Sequence, residues 1–293
     1  MKLLAIGALV VNAFVWGVSW WPLRQLQTAG LHPLWSTVIM YCFALVVVLA
    51  FKPQAWRGLA RHPQLWLLLL ASGLTNVGFN WAVSISDVVR VLILFYLMPA
   101  WAVLLAWLLL HEQPRRNAIL RLLLAFVGVM VVLLPASLFS NTASNLYFSF
   151  ADALALMGGF CFALTNVLLK RLVDTPSEAR MFAMFSGGAL LAMCAGTVGM
   201  SQGWVTALPA VSSNWAWLAA GLSLAFLVGN TALQYGASRL RSSTTSIVML
   251  TEVIFGSLSA IALGAAVLDT RTLLGGGLIG LAAVLAAFDN ADH

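Results

Sequence analysis

Residues 76–84 read NVGFNWAVS and residues 230–238 read NTALQYGAS. Laid over one another at an offset of 154, Asn76 meets Asn230, Asn80 meets Gln234, Trp81 meets Tyr235 and Ser84 meets Ser238. Each stretch holds two amides four residues apart, which on a helix share one face. Both stretches lie inside long apolar runs, so their meaning depends on the solvent those runs face.

Composition settles that question. The chain of 293 residues is 62% hydrophobic and 8% charged, with 12 tryptophans. A soluble domain is about half apolar and about a quarter charged, so no soluble surface can be built from this chain. The class is an all-α integral membrane protein. Without a basic run interleaved with aromatics, the net charge of +6 implies membrane orientation and no nucleic-acid partner. Cys42, Cys161 and Cys194 sit in apolar segments with no paired spacing and are expected as small core residues. His32, His62, His111 and His293 fall near segment ends or at the terminus with no second ligand at zinc spacing. Neither metal nor cofactor is implied.

A helix needs about 20 mostly apolar residues to cross the hydrocarbon core. Ten segments qualify: 3–23, 33–51, 64–85, 89–110, 118–135, 149–169, 181–200, 214–236, 243–266 and 272–288. The first begins like a signal peptide, but it lacks a small-residue cleavage site and is expected to be retained as a span. Breakers mark several of the short connections, at Lys52-Pro53, His62-Pro63, Gln113-Pro114 and Thr175-Pro176, and none leaves room for a soluble domain. With both termini cytoplasmic, 12 of the 15 Lys and Arg residues fall on the inner side. Only Arg24, Arg90 and Arg271 fall outside, as the positive-inside rule requires.

Ten spans let the opening pair be tested. A second self-match, AFVWGVSWWPLRQL at 13–26 over GFCFALTNVLLKRL at 159–172, pairs Phe14 with Phe160, Trp16 with Phe162, Ser19 with Thr165 and Arg24 with Lys170. Both matches join corresponding spans of two halves, 1–140 and 141–293. Five spans per half give the halves opposite orientations, an inverted 5+5 repeat suited to alternating access.

Short motifs stand out along the first five spans: Phe14, Trp16 and Gly17 in the first, Leu97 and Pro99 in the fourth, Glu112 closing it, and Gly128-Val129 in the fifth. In these the chain resembles the drug/metabolite transporter superfamily. Within it the chain is similar to EamA-type ten-helix exporters, including YddG-type amino-acid exporters. The resemblance implies export of amino acids or related small metabolites across a bacterial inner membrane. Members often carry Leu-Glu-Pro in the fourth and ninth spans. Here Met98 replaces the first acid, and Val253 replaces the second proline beside Glu252. An arginine common in the family's second span is absent, and Tyr41 and Phe43 stand in that region.

The polar residues inside the spans are the site candidates. A carboxylate at mid-membrane costs about 2.5–3.5 kcal/mol on insertion scales, so Glu252 should face protein or water. It is either a proton or ammonium site, or a protonated group that bonds a neighbouring helix and fixes packing. Asn76 and Asn80, Asn230 and Gln234, Asn12 and Trp16, and Phe162 and Asn166 each share a helix face. Together they suggest a common cavity, although interhelical hydrogen bonds alone would use the same residue types. Tyr96 and Trp101, flanking Pro99, are deep enough to line it, whereas Trp20 suits an interfacial anchor. An aromatic face attracts an ammonium by about 0.5–2 kcal/mol. Pro22 and Pro99 remove backbone donors, and at Pro99 the freed carbonyl near Phe95 could bend the helix or touch substrate. Gly276-x-x-x-Gly280 is a small-residue packing face. Spans five and ten lack interior polar groups and are placed outside the cavity, where a weak homodimer contact could form if the protein is not a monomer.

Among function classes, a secondary carrier fits best, binding a small-molecule substrate within the lipid bilayer. A drug or other metabolite exporter is the alternative. A channel would want a continuous ring of polar groups along a pore. An enzyme would need convergent His, Asp, Cys or Ser chemistry, and an ATP-driven pump a phosphate-binding loop; neither pattern is present.

Overall fold

The computed structural model describes residues 2–86, 88–113, 116–133, 148–208, 213–264 and 270–287, and these are helical with no strand among them. The expected boundary at 140/141, Pro114, Arg115 and His293 lie outside the described residues. In chain order the helices are α1 (Lys2–Val18), α2 (Trp20–Thr28), α3 (Pro33–Phe51), α4 (Arg57–Arg61), α5 (Gln64–Ile85), α6 (Val88–Phe95) and α7 (Met98–Leu110). There follow α8 (Arg116–Leu133), α9 (Phe150–Arg171), α10 (Ser177–Ser201), α11 (Ser213–Ala237), α12 (Ser242–Met249), α13 (Thr251–Ala262) and α14 (Thr270–Ala287).

Among the described residues seven helical stretches are long and apolar enough to cross a membrane: Lys2–Thr28, Pro33–Phe51, Gln64–Val83, Phe150–Arg171, Ser177–Ser201, Trp215–Ala237 and Ser242–Ala262. The other three expected spans are helical as well, as α6 with α7, α8 and α14, but do not count among the seven. Exposed side chains such as Phe51, Trp66, Trp107, Leu120, Trp217 and Leu273 are large and apolar, which suits a lipid-facing surface. The same fact corrects the cysteines: Cys161 is buried, but Cys42 and Cys194 are exposed. An exterior in contact with hydrocarbon takes a weakly polar thiol as readily as a core does.

Three expected spans are interrupted rather than continuous. The first breaks at Ser19, whose hydroxyl bonds the Trp16 carbonyl at 2.7 Å, between α1 and the α2 segment holding Pro22. The fourth breaks at Tyr96–Leu97, with Pro99 in the first turn of α7. Proline cannot donate to the carbonyl four residues back, and the Phe95 carbonyl lies against Gly159 of α9, where any Cβ would come within 2.5 Å of it. The freed carbonyl is thus covered by a bare glycine rather than turned to a cavity. The ninth span breaks at Leu250 through tight turns, Leu250 N to Ile247 O and Val253 N to Leu250 O, both 3.1 Å. No proline directs this break. Yet Leu250 follows Tyr96 by the same 154 positions as the opening pair.

Packing repeats in the same way. Helix α9 lies on α5 as α1 lies on α11; α10 lies on α5 as α3 lies on α11; α9 meets α6 and α7 as α1 meets α12 and α13. The remaining large pairings, α3 with α10 and α8 with α14, join corresponding spans. Corresponding loops lie at opposite ends. Gly58, in the connection after α3, sits on Ala179 at the start of α10. The connection after α10 reaches the start of α3, where Trp35 Nε1 donates to the Thr206 carbonyl at 2.9 Å.

Glycines set the closest approaches, since a Cβ at Gly78 of α5 would lie 2.6 Å from the Leu154 carbonyl of α9. Between α8 and α14 the tight contact is Gly128 against the Gly275 carbonyl, 2.8 Å from an added Cβ. Gly276 and Gly280, expected as the packing face, look loosely toward Ile254 instead.

Gly187 of α10 lies directly on the Leu69 backbone of α5, whereas Gly7 of α1 has no neighbour for an added Cβ. Overpacking of this kind costs about 1–3 kcal/mol or more. Gly187→Leu should therefore abolish most of the monodisperse peak in detergent size-exclusion chromatography, and Gly7→Leu should leave it intact.

Candidate functional site

The interior polar residues sit on faces that α1, α3, α5, α9, α10 and α11 turn toward one another. There they enclose a cavity of about 40 Å³ lined by Asn12, Trp16, Tyr41, Ser72, Thr75, Asn76, Phe162, Thr165, Met184, Phe185, Phe226, Asn230 and Leu233. That volume takes about two or three waters and is too small for an amino acid, so the space is constricted in this state. Among the described residues the lining contains no acid and no Lys, Arg or His.

Six of the eleven residues expected in a cavity line it: Asn12, Trp16, Tyr41, Asn76, Phe162 and Asn230. They come from both halves of the chain. Tyr41 Oη donates to Asn76 Oδ1 at 2.8 Å, and Asn76 Nδ2 donates to the Ser72 carbonyl at 2.8 Å. Gln234 Nε2 donates to Asn230 Oδ1 at 2.8 Å, which leaves Asn230 Nδ2 facing only the Met184 sulfur at 3.6 Å. Asn12 Nδ2 likewise finds only the Met249 sulfur, at 3.4 Å, and Asn12 Oδ1 is buried with no partner. Thioethers are weak acceptors, so both amides hold unspent hydrogen-bonding capacity at the cavity wall. Rings complete the wall, with Trp16 on Phe226 at 4.5 Å and Tyr41 on Phe185 at 5.3 Å between centroids.

The other five lie elsewhere. Asn80 is one turn further along α5 and donates to Thr37 Oγ1 of α3. Gln234 stands one turn behind Asn230, and Asn166 one turn behind Phe162, buried with both side-chain polar atoms unpartnered. Trp101 packs edge-on against Phe160 at 5.7 Å. Tyr96 sits at the break between α6 and α7 and donates to Glu252 Oε1 at 3.1 Å.

Glu252 is not part of the cavity lining. It lies in the first turn of α13, just past the break at Leu250, half-buried. Its backbone carbonyl lies against Gly17, where an added Cβ would sit 2.7 Å away. The Tyr96–Glu252 bond therefore ties the interrupted helix of one half to that of the other, beside α1. Among the described residues no three His, Cys, Asp or Glu side chains gather as a metal site.

Sequence reasoning missed Ser72, Thr75, Thr165, Met184, Phe185, Phe226 and Leu233. Ser72 and Phe226 were legible by spacing, each one turn before a chosen amide. The two threonines are masked because each bonds its own helix, Thr75 to Ala71 O at 2.8 Å and Thr165 to Cys161 O at 2.9 Å. Met184 and Phe185 belong to a span with no polar pair to flag it.

Apolar helices around a small interior cavity lined by amides, hydroxyls and rings define a multi-pass helical membrane protein. Residues 3–134, somewhat under half of the chain, match the family model described as the EamA-like transporter family. No curated protein matches the chain. A solved structure titled "Crystal structure of protein" is similar at 17% identity and a TM-score of 0.73, covering 96% of each chain. At that identity the likeness concerns the fold.

Tyr41→Phe leaves Asn76 Oδ1 without its donor. Interhelical hydrogen bonds in membrane proteins are worth about 0.6 kcal/mol on average and about 1.7 at most. Equilibrium unfolding in mixed micelles should therefore show a loss within that range, with the fold retained.

Proposed function

We propose that the protein is a secondary transporter of a bacterial inner membrane that exports amino acids and related small metabolites by alternating access. In this reading ten spans form an inverted 5+5 repeat with both termini cytoplasmic, and the active unit is a monomer or a weak homodimer. The observation that carries it is the cavity itself. Amides and rings from both halves converge on one space, with free amide capacity at Asn12 and Asn230. A wall without fixed charge suits a zwitterion, whose two charges can be met by amide dipoles and aromatic faces. A substrate of net charge would be desolvated with no counter-charge. The exchangeable packing of the two sets of helices, the breaks at Tyr96–Leu97 and Leu250, and the family match over the first half all support the repeat. Rocking of the halves about the cavity would then expose it to each side in turn.

Glu252 is the candidate for proton or ammonium coupling, because it is the acid inside a span at the joint between the interrupted helices. Its hydrogen bond to Tyr96 is equally what a packing role would show.

Counterflow of labelled neutral amino acids into proteoliposomes tests the reading. Wild type should show trans-stimulated uptake, and Asn230→Leu should reduce it at least about tenfold while eluting as a folded protein. Trans-stimulation by amphipathic cations instead of amino acids would move the substrate class to drugs, and linear, unsaturable flux would point to a channel. Glu252→Gln should exchange substrate but lose its response to an imposed proton gradient. Unchanged proton coupling in that variant would leave Glu252 a packing residue.

A further inference from the structure

The cavity is connected to one end of the molecule by a row of buried polar groups that the substrate reading leaves unused. On α9, Phe162, Asn166 and Lys170 are spaced four apart on one face. That face runs about 12 Å from the cavity wall to an ion pair, in which Lys170 Nζ meets Glu112 Oε1 at the end of α7. Glu112 Oε2 also accepts from the Ser242 backbone N–H at 3.4 Å, so one carboxylate holds the ends of α7, α9 and α12. Beside it, Arg241 Nη2 donates to the Gln113 carbonyl at 3.0 Å. His111 directs Glu112 there: it adopts left-handed backbone with φ 56°, and the chain turns back so that Glu112 N–H bonds the Ala106 carbonyl at 3.1 Å.

Between this lock and the cavity lie Asn166 Nδ2 and Oδ1, Gln234 Oε1, Ser242 Oγ and Thr245 Oγ1, all buried and all without a hydrogen-bond partner. Their helices α9, α11 and α12 pack on one another. A buried unpaired polar group costs about 1–3 kcal/mol, and apolar residues at these positions would avoid that cost. The groups make sense if the same surface is wet in a second state. We infer that Asn166, Gln234, Ser242 and Thr245 line the route by which substrate and water reach the cavity from the end bearing Glu112, and that the Glu112–Lys170 pair locks it shut here. Arg24, which the repeat aligns with Lys170, is exposed with no side-chain partner among the described residues, so the described lock is on one end. The inference rests on the transporter reading for its substrate but not for its test.

The test is thiol labelling in sealed membrane vesicles of both orientations, with a membrane-impermeant maleimide and with Cys42, Cys161 and Cys194 replaced by Ala. Reporters are Asn166→Cys and Thr245→Cys on the route, and Thr37→Cys, equally buried on α3 away from it at a hydroxyl that is bonded to the Pro33 carbonyl. Lys170→Met or Glu112→Gln should raise labelling of both route reporters at least about fivefold, the low end of ordinary coupling between two sites. The rise should come from one vesicle orientation only, and Thr37→Cys should stay protected. Lys52→Met, at an exposed lysine, should change nothing. Unchanged labelling on the route, or an equal rise at Thr37→Cys, overturns the assignment. Because no substrate is needed, a positive result stands even if counterflow finds no carrier.

Discussion

An unpaired backbone amide in hydrocarbon costs several kcal/mol, so a chain in the bilayer is helical wherever it meets lipid and interrupted only where protein covers the gap. That constraint organises this molecule. The breaks at Ser19, Tyr96–Leu97 and Leu250 lie where α1, α6, α7, α12 and α13 are enclosed by their neighbours. Each freed group has a local answer. The Ser19 hydroxyl takes the Trp16 carbonyl, and Gly159 makes room for the Phe95 carbonyl. Tight turns close the gap at Leu250. The Tyr96–Glu252 bond joins two of these breaks.

The same economy explains the site. Polar side chains within the spans are either spent on a neighbouring helix, as Asn80 is on Thr37, or face one small central space. Asn76, held by Tyr41 and Ser72, is pre-oriented. Asn12 and Asn230, facing thioethers, keep capacity in reserve. A wall that combines oriented amides, unspent amides and aromatic rings can meet a zwitterion without a dedicated charge, at the expense of selectivity. At about 40 Å³ the space must widen to accept one, which requires the helices bearing these residues to separate.

Much of this was legible in the sequence, and the limits are physical. The ends of α3 and α5 coincide with the expected segments 33–51 and 64–85, because prolines flank the α3 run and precede the α5 run, and Ser86-Asp87 closes the latter. Pro99 announced the first-half joint. Nothing announced its partner at Leu250, since Thr251-Glu252-Val253 has no helix breaker and tertiary packing imposes the turn. Amide pairs on α5 and α11, and amide–aromatic pairs on α1 and α9, each include a residue that lines the space. They could not separate Asn230 from Gln234, or Phe162 from Asn166, because one turn decides between wall and buried track while the pattern is identical. Hydroxyls bonded to their own helix, and the apolar contribution of α10, leave no periodic signal.

Rocking about a shared cavity requires the two halves to be inverted copies, and topology tests that directly. Trp56 lies in the connection after α3 and Gln202 in the corresponding connection after α10; both are exposed. Single cysteines at these two positions, in a cysteine-free background, can be labelled with an impermeant maleimide in right-side-out and inside-out vesicles. An inverted repeat requires Trp56→Cys and Gln202→Cys to label from opposite faces, and cytoplasmic termini put Trp56→Cys on the cytoplasmic one. Labelling of both from the same face would contradict the repeat, and with it the rocking of two halves about a shared cavity.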